Sequence, residues 1–292
     1  MKTNAIVRIV ILSIVFIVLL GILLAGIGLK GFLERKDTNV RWEASHSPSA
    51  SDGEQMSEMY TTSSQIREIE IQWVLGTITI EAGDVDQVVY QETPVSDSRY
   101  RMVTKASPDE LKIQYCSENA GLSFSMFGTE INVVKDLTIT VPKDMTLESL
   151  EIEAASAEVI IRGLTIDEVS LDTASGKCEL EGCRIGELDV DTASGDIRFN
   201  GSLNVLDFDA ASAEFKGCFD NTPRRIKMDS LSGDIDITLP SDAGFTVSMD
   251  AMSSGITSDF ETVIRNGDYI CGNGYCQIEY NGMSGDITIR KG

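Results

Sequence analysis

Carboxylates bracket a recurring serine down the second half of this chain, and no other reactive group recurs so regularly. The phrase is acid, any residue, small apolar residue, Ser, then Gly or Ala. It reads Glu153-Ala154-Ala155-Ser156-Ala157, Asp172-Thr173-Ala174-Ser175-Gly176, Asp191-Thr192-Ala193-Ser194-Gly195 and Asp209-Ala210-Ala211-Ser212-Ala213. It continues as Asp229-Ser230-Leu231-Ser232-Gly233, Asp250-Ala251-Met252-Ser253-Ser254 and Asn281-Gly282-Met283-Ser284-Gly285. The acids form two columns. One holds Glu153, Asp172, Asp191, Asp209, Asp229 and Asp250; the other holds Glu158, Asp196, Glu214, Asp234 and Asp286, broken by Lys177 and Gly255. Paired carboxylates can hydrolyse a glycoside, and stacked ones can hold a divalent cation. Like charges about 4.8 Å apart repel by roughly 0.9 kcal/mol even at the dielectric of water, and calcium relieves such a column through several carboxylate oxygens. On that reading Asp191, Asp196, Asp229 and Asp234 are the calcium candidates. The plainer reading, turn capping and solubility, is preferred. The calcium β-roll phrase G-G-x-G-x-D is absent.

Nucleophilic catalysis finds less support. A serine nucleophile needs a base, and the single histidine, His46, stands in a polar stretch far from the repeat. The serines recur because a structural corner recurs. No phosphate-binding G-x-x-x-x-G-K-[ST] loop occurs, and no dinucleotide fingerprint opens a helix. No catalytic residue and no cofactor is expected.

The elements that position these groups follow from the spacing. Successive marker serines are 19, 19, 18, 20, 21 and 31 residues apart, which is the period of a stacked repeat. Six and four residues before each serine stand apolar pairs such as Val169 and Leu171; three and five after it stand pairs such as Ile197 and Phe199. Polar residues fill the gaps, so each half-repeat is a strand with one buried face. One strand-corner-strand unit cannot bury its own apolar side, but stacked units can. Gly176, Gly195, Gly233 and Gly285 supply backbone freedom at the corner. The small residue just before each serine (Ala155, Ala174, Ala193, Ala211) is expected to fit an inward corner. Its growth to Leu231, Met252 and Met283 reads as a change in cross-section. Gly217 and Ser258 interrupt the apolar files in the same later half. An earlier unit fits the offsets if Leu75 takes the serine position. Less regular strands are expected at Val88–Tyr90, Leu111–Tyr115 and Ile131–Val141, the last ended by Pro142, with longer excursions between Thr93 and Gly128. The fold class is all-β, a single solenoid of about 20-residue units.

Six cysteines are present. Cys178 falls on an inward position. Cys183 and Cys218 occupy turns two units apart, near 10 Å and beyond disulfide reach. Cys271 and Cys276 flank a Gly-Asn-Gly-Tyr turn in an insertion of the final unit and could close a loop by a disulfide. Zinc is disfavoured, since the spacing fits no finger or ribbon.

Ahead of the repeat, residues 9–29 form an uncharged, almost wholly apolar run of 21, long enough to span a bilayer as a helix. An uncleaved anchor is expected, behind an N-terminal tail of residues 1–8 and ahead of a flexible, acidic and Ser-rich linker at 30–64. The solenoid then occupies 65–292. Four basic residues between 30 and 41 favour an internal C-terminal domain. The short tail before one apolar segment favours an external one, and an extracytoplasmic solenoid is the expectation adopted. Residues 42–292 hold 18 basic and 44 acidic side chains, a net of −26. Nucleic acid is therefore not an expected partner, because phosphate contacts need Lys and Arg, and anionic polymers should be repelled.

The run Ile139-Thr140-Val141-Pro142, followed by Leu-x-Ile strands and the phrases Ser194-Gly195-Asp196-Ile197, Ser232-Gly233-Asp234-Ile235 and Ser284-Gly285-Asp286-Ile287, resembles the bacterial putative-adhesin domain. That family is a toastrack-type β-solenoid of unknown function, and the likeness spans about Ile66 to Arg290. It implies no catalytic residues. Members often sit on membrane anchors or in cell-envelope stress operons. The expected function is non-catalytic interaction or adhesion at the envelope, with lipid met through the N-terminal helix and a protein or envelope polymer as partner. The alternatives are an accessory or sensory subunit of an envelope stress response, and a carbohydrate-active enzyme. The last unit ends abruptly at Arg290-Lys291-Gly292, so self-association through the solenoid ends is also expected.

Overall fold

A computed structural model of the chain describes residues 59–62, 65–116 and 133–292. The expected tail at 1–8, the expected helix at 9–29, His46 and most of the expected linker lie outside the described residues. Among the described residues no helix is long and apolar enough to cross a membrane. Strands dominate: β1 (Tyr60–Thr61), β2 (Glu68–Gly83), β3 (Val89–Glu92), β4 (Val103–Ala106), β5 (Glu110–Gln114), β6 (Leu137–Pro142), β7 (Thr146–Arg162), β8 (Thr165–Ser175), β9 (Cys178–Ser194) and β10 (Ile197–Ser212). There follow β11 (Phe215–Phe219), β12 (Arg225–Ser232), β13 (Ile235–Leu239), β14 (Phe245–Ser253), β15 (Ile256–Ser258), β16 (Val263–Arg265), β17 (Asp268–Cys271), β18 (Cys276–Ser284) and β19 (Ile287–Lys291). β1 pairs with β3 and Tyr60 stacks on Tyr90 at 5.4 Å, so Tyr60 and Thr61, within the span expected as linker, belong to the sheet.

Each rung of the stack has a first arm, a corner and a second arm, and rungs pair in parallel. Ile152, Leu171, Val190, Phe208, Met228, Tyr280 and Met249 stand side by side in that order. The first six are at most 1 % exposed, so they form one internal file. On the second arm Val159, Cys178, Ile197, Phe215, Ile235, Ile287 and Ile256 do the same. Each fully buried Leu, Ile or Phe contributes about 1.5–3 kcal/mol, and the files merge into one apolar cluster. Gly217 interrupts the inward file of Phe199 and Ile237 because ring volume fills its place: a Cβ there would meet the Phe215 and Phe219 rings. Leu75 sits beside Ser156, as the offsets require.

Two expectations need correction. The residue just before each serine points outward: Ala155, Ala174, Ala193 and Ala211 are half-buried, while Met252 and Met283 are exposed. The tight inward position lies one residue earlier, at Ala154, Thr173, Thr192, Ser230 and Gly282, all buried. Strict alternation fixes this, since residues two before and four before the serine share a face.

The second correction concerns the ends. The final unit, β18 and β19, does not end the stack. β18 lies between β12 and β14, and β19 lies between β13 and β15. The outer rung is therefore β14–β15, and the insertion folds as an antiparallel β16–β17 hairpin against Phe245–Val247. The other end mirrors this: β2 lies one rung inside, between β7 and the outer pair β5 and β6. There β4 covers β5, and β3 followed by β1 covers β6.

Candidate functional site

The first-arm acids form a ladder on the outer face. Glu153, Asp172, Asp191, Asp209 and Asp229 are neighbours across five successive rungs. Amides terminate the run: Gln72 beside Glu153, and Asn281, whose Nδ2 donates to Asp229 at 2.6 Å. Asn281 also separates Asp229 from Asp250, a consequence of the inserted last unit. Two lysines clamp the ends of the face. Lys227 Nζ reaches Asp207 at 2.7 Å, Asp229 at 3.1 Å and Asp209 at 3.8 Å. Lys112 reaches Glu70 at 2.5 Å and Glu110 at 3.0 Å. Between the clamps Glu151, Glu153, Asp172, Asp189 and Asp191 crowd together, and partial burial followed by mutual repulsion raises the pKa of each.

Two groups rise furthest. Burial, with Glu151, Asp172 and Glu70 adding, pushes Glu153 up to about 7. Burial, opposed by Lys227 and reinforced by Asp229, Asp191 and Asp207, pushes Asp209 up to about 7. A carboxylate whose folded pKa exceeds its unfolded value binds its proton more tightly when folded. Its contribution is complete below the unfolded pKa near 4 and is lost as pH rises through about 7. The Asp209 side chain is 33 % exposed, so solvent screening reduces the conversion, to about 1–2 kcal/mol per group. The denaturation midpoint is therefore expected to fall between about pH 5 and pH 8, and the double substitution Glu153→Gln with Asp209→Asn to flatten that slope. A midpoint that holds constant or climbs over this range refutes the assignment.

The second-arm acids act differently. Asp286 N–H donates to Asp234 Oδ1 at 3.0 Å, and Gly255 N–H donates to Asp286 Oδ1 at 2.8 Å, so these carboxylates cap the backbone of the adjoining rung. Asp191 and Asp229 are separated by Asp209 on one arm. Asp196 and Asp234 stand just past the corner, on the other arm of the same two rungs. The four calcium candidates are thus not gathered into one ligand set, and among the described residues no group of three His, Cys, Asp or Glu side chains is placed to hold a metal. Lys227 offsets one end of the ladder, and the raised pKa of Glu153 and Asp209 reflects the burial and repulsion left along it. Marker serines meet one another, as in Ser156 Oγ with Ser175 Oγ at 3.1 Å, and buried Thr173 donates to Thr192 at 3.0 Å.

The cysteines are free. Cys271 and Cys276 both face Phe245, one from β17 and the other from β18, on opposite sides of β14. Two strand spacings of about 4.8 Å separate them, beyond the roughly 7 Å limit for a disulfide. The expected bridge is corrected accordingly. Cys178 is buried on its inward file; Cys183 and Cys218 lie in strands β9 and β11 rather than in turns, two strand spacings apart as expected.

Sequence reasoning missed the turn edge, where second arms return to first arms. Backbone bonds run along it: Glu148 N–H to Arg67 O at 2.8 Å, Arg224 N–H to Asn204 O at 2.8 Å and Gln277 N–H to Arg224 O at 3.0 Å. Two open hollows lie end to end on this edge. One, of about 560 Å³, is lined by Arg67, Glu68, Pro108, Asp109, Thr146 and Glu148. The other, of about 520 Å³, is lined by Asp167, Gly186, Glu187, Asn204, Arg224 and Tyr275. Gly186 keeps its floor low, because the Asp167 backbone occupies the space a Cβ would take. Tyr275, on the insertion, is 55 % exposed.

No curated protein matches the chain. Solved structures similar in outline include three with a TM-score of 0.39 each. A putative cell adhesion protein from Clostridium sporogenes is 12 % identical, the match covering 81 % of this chain and 99 % of that one. A putative adhesin from Bacteroides fragilis is 12 % identical over 80 % and 97 %. A putative lipid binding protein from Parabacteroides distasonis is 18 % identical over 81 % and 96 %. The family model Toastrack DUF4097 matches residues 66–204 and 163–290, two overlapping spans that meet within the ladder of paired rungs. The resemblance carried by the Ser-Gly-Asp-Ile corners is thereby established, and this chain belongs to the Toastrack DUF4097 family.

Proposed function

We propose that this protein is a non-catalytic binding module of the cell envelope. Residues 9–29 anchor it in the membrane, and the stack outside grips an extended partner along its turn edge. The carrying observation is that the two hollows lie in line on one edge and present side chains rung by rung, at about 4.8 Å intervals. A compact ligand needs one enclosed pocket, whereas an extended polymer or peptide needs a track of this kind. The net charge of −26 over residues 42–292 favours a neutral or cationic partner over an anionic one.

The double substitution Arg224→Ala with Tyr275→Ala tests this. Both side chains are exposed, so folding should survive. Sedimentation of the full-length protein with isolated envelope fragments is expected to weaken at least about tenfold, the loss of one good polar and one aromatic contact. Equal binding by the variant and the parent chain refutes the track.

A further inference from the structure

The two ends of the stack are built differently. At the end nearest the N-terminus the outer strands are short, and β4 carries Lys105, both devices that discourage strand addition. At the opposite end the outer rung is open. Among the described residues β14 is paired on its outer side only along Phe245–Val247, and no described strand adjoins Met249–Ser253 there. Among the described residues β15 pairs only with β19, and β16 only with β17. Four of the seven large apolar side chains exposed among the described residues cluster here: Met252, Val263, Ile264 and Met283.

We infer that a second copy of this chain covers this end, joined about a two-fold axis with Met249–Ser253 of each copy paired antiparallel. An unpaired edge meets its own counterpart with no further complementary surface required. Charge favours the same choice. The molecule is strongly acidic, yet the three open segments 249–253, 256–258 and 263–265 carry one acid, Asp250, and one base, Arg265. The paired segment 249–253 itself brings one acid per copy, Asp250, to the seam. The 16 residues 117–132 are too few to reach this end and return. Residues 1–58, 63–64 and 117–132 all attach at the other end, eight rung spacings or about 40 Å away, and residues 42–58 are mostly polar.

The arrangement places the two Met59 residues, where each described chain begins, at far ends of a joined double stack. If the anchor reading above holds, on which this consequence rests, the pair links two facing membranes rather than neighbours in one.

The test uses the full-length chain in lipid nanodiscs loaded with one copy each, where only facing contacts can join discs. Two-disc particles are expected, counted by single-particle mass. Met252→Lys with Ile264→Lys, both at exposed positions, is expected to weaken pairing at least about tenfold with the denaturation midpoint kept. Discs that stay single at every concentration overturn the inference, as does a lysine variant that pairs like the parent. Single discs that still bind envelope fragments would leave the proposed function standing, so the two ideas fail separately.

Discussion

Lys135→Met is expected to destabilise the protein by about 3–5 kcal/mol, the cost of stranding the partner of a buried charge. The Lys135 side chain is fully buried. Its ammonium donates to Glu92 at 2.5 Å, to the Tyr100 carbonyl at 2.7 Å and to the Tyr115 carbonyl. It also lies 4.7 Å from the Trp73 ring centre and 4.3 Å from that of Tyr115. Burial draws its pKa below the usual lysine value, and Glu92 opposes that shift. This one cation joins β3, β5, the start of β6 and the corner of β2, so it closes the end of the stack where few strands remain to do so. Removing it leaves the Glu92 carboxylate in a nearly dry site with the Met102 N–H still donating to it. The double variant Lys135→Met with Glu92→Gln removes both charges and should recover a large part of the loss. Denaturant titration of the parent, both single variants and the double variant gives the coupling. A single variant within about 1 kcal/mol of the parent, or a double variant no better than Lys135→Met, refutes the keystone role.

That residue also marks the limit of what the chain's pattern discloses. The files from Leu150 to Ile289 were legible because each apolar residue repeats at a fixed offset from a serine, and burial enforces period two on both arms. Even the irregular first unit was legible, since Leu75 occupies the serine position beside Ser156. Lys135 has no such repeat. A lone lysine near the start of a strand reads as a surface residue, and its partners Glu92, Trp73 and Tyr115 are set by contacts distant in sequence. The order of the last two rungs was hidden for the opposite reason. Every unit shares the same offsets, so the pattern states that a unit stacks but not upon which neighbour. The 31-residue step between Ser253 and Ser284 accommodates the hairpin that carries the chain past the outer rung and back inside it. The same detour put Cys271 and Cys276 on opposite sides of β14, although five residues of sequence suggested one closed turn. The acid ladder was visible as a column, but Lys227 was not visible as its clamp, because it sits in a different column and reaches across three carboxylates.

Gly233→Ala should be the most damaging change of a single methyl group in the described residues, costing about 3 kcal/mol or more from two separate effects. The backbone at Gly233 has φ +143°, a region L-residues enter only under strain. A Cβ built there would also overlap the carbonyl oxygen of Ala213 on the adjoining rung. Relief would require two corners to separate, and neither can move alone: Ala213 N–H donates to Ser232 O at 3.2 Å, and Gly285 on the next rung packs against Gly233 in turn. Gly182 shows the milder strain of the left-handed region by itself. Its φ is +65°, and nothing lies within 4 Å of a Cβ placed on it, so Gly182→Ala carries backbone strain without collision and should cost about 1 kcal/mol. Ala157 and Ala213 occupy the same corner column, and both are absent from the positive-φ residues. Alanine is therefore tolerated in this column where φ is negative. Denaturation midpoints for the two alanine variants decide the matter. If Gly182→Ala proves as costly as Gly233→Ala, backbone strain alone explains the glycine, and close approach of stacked corners is not what selects it.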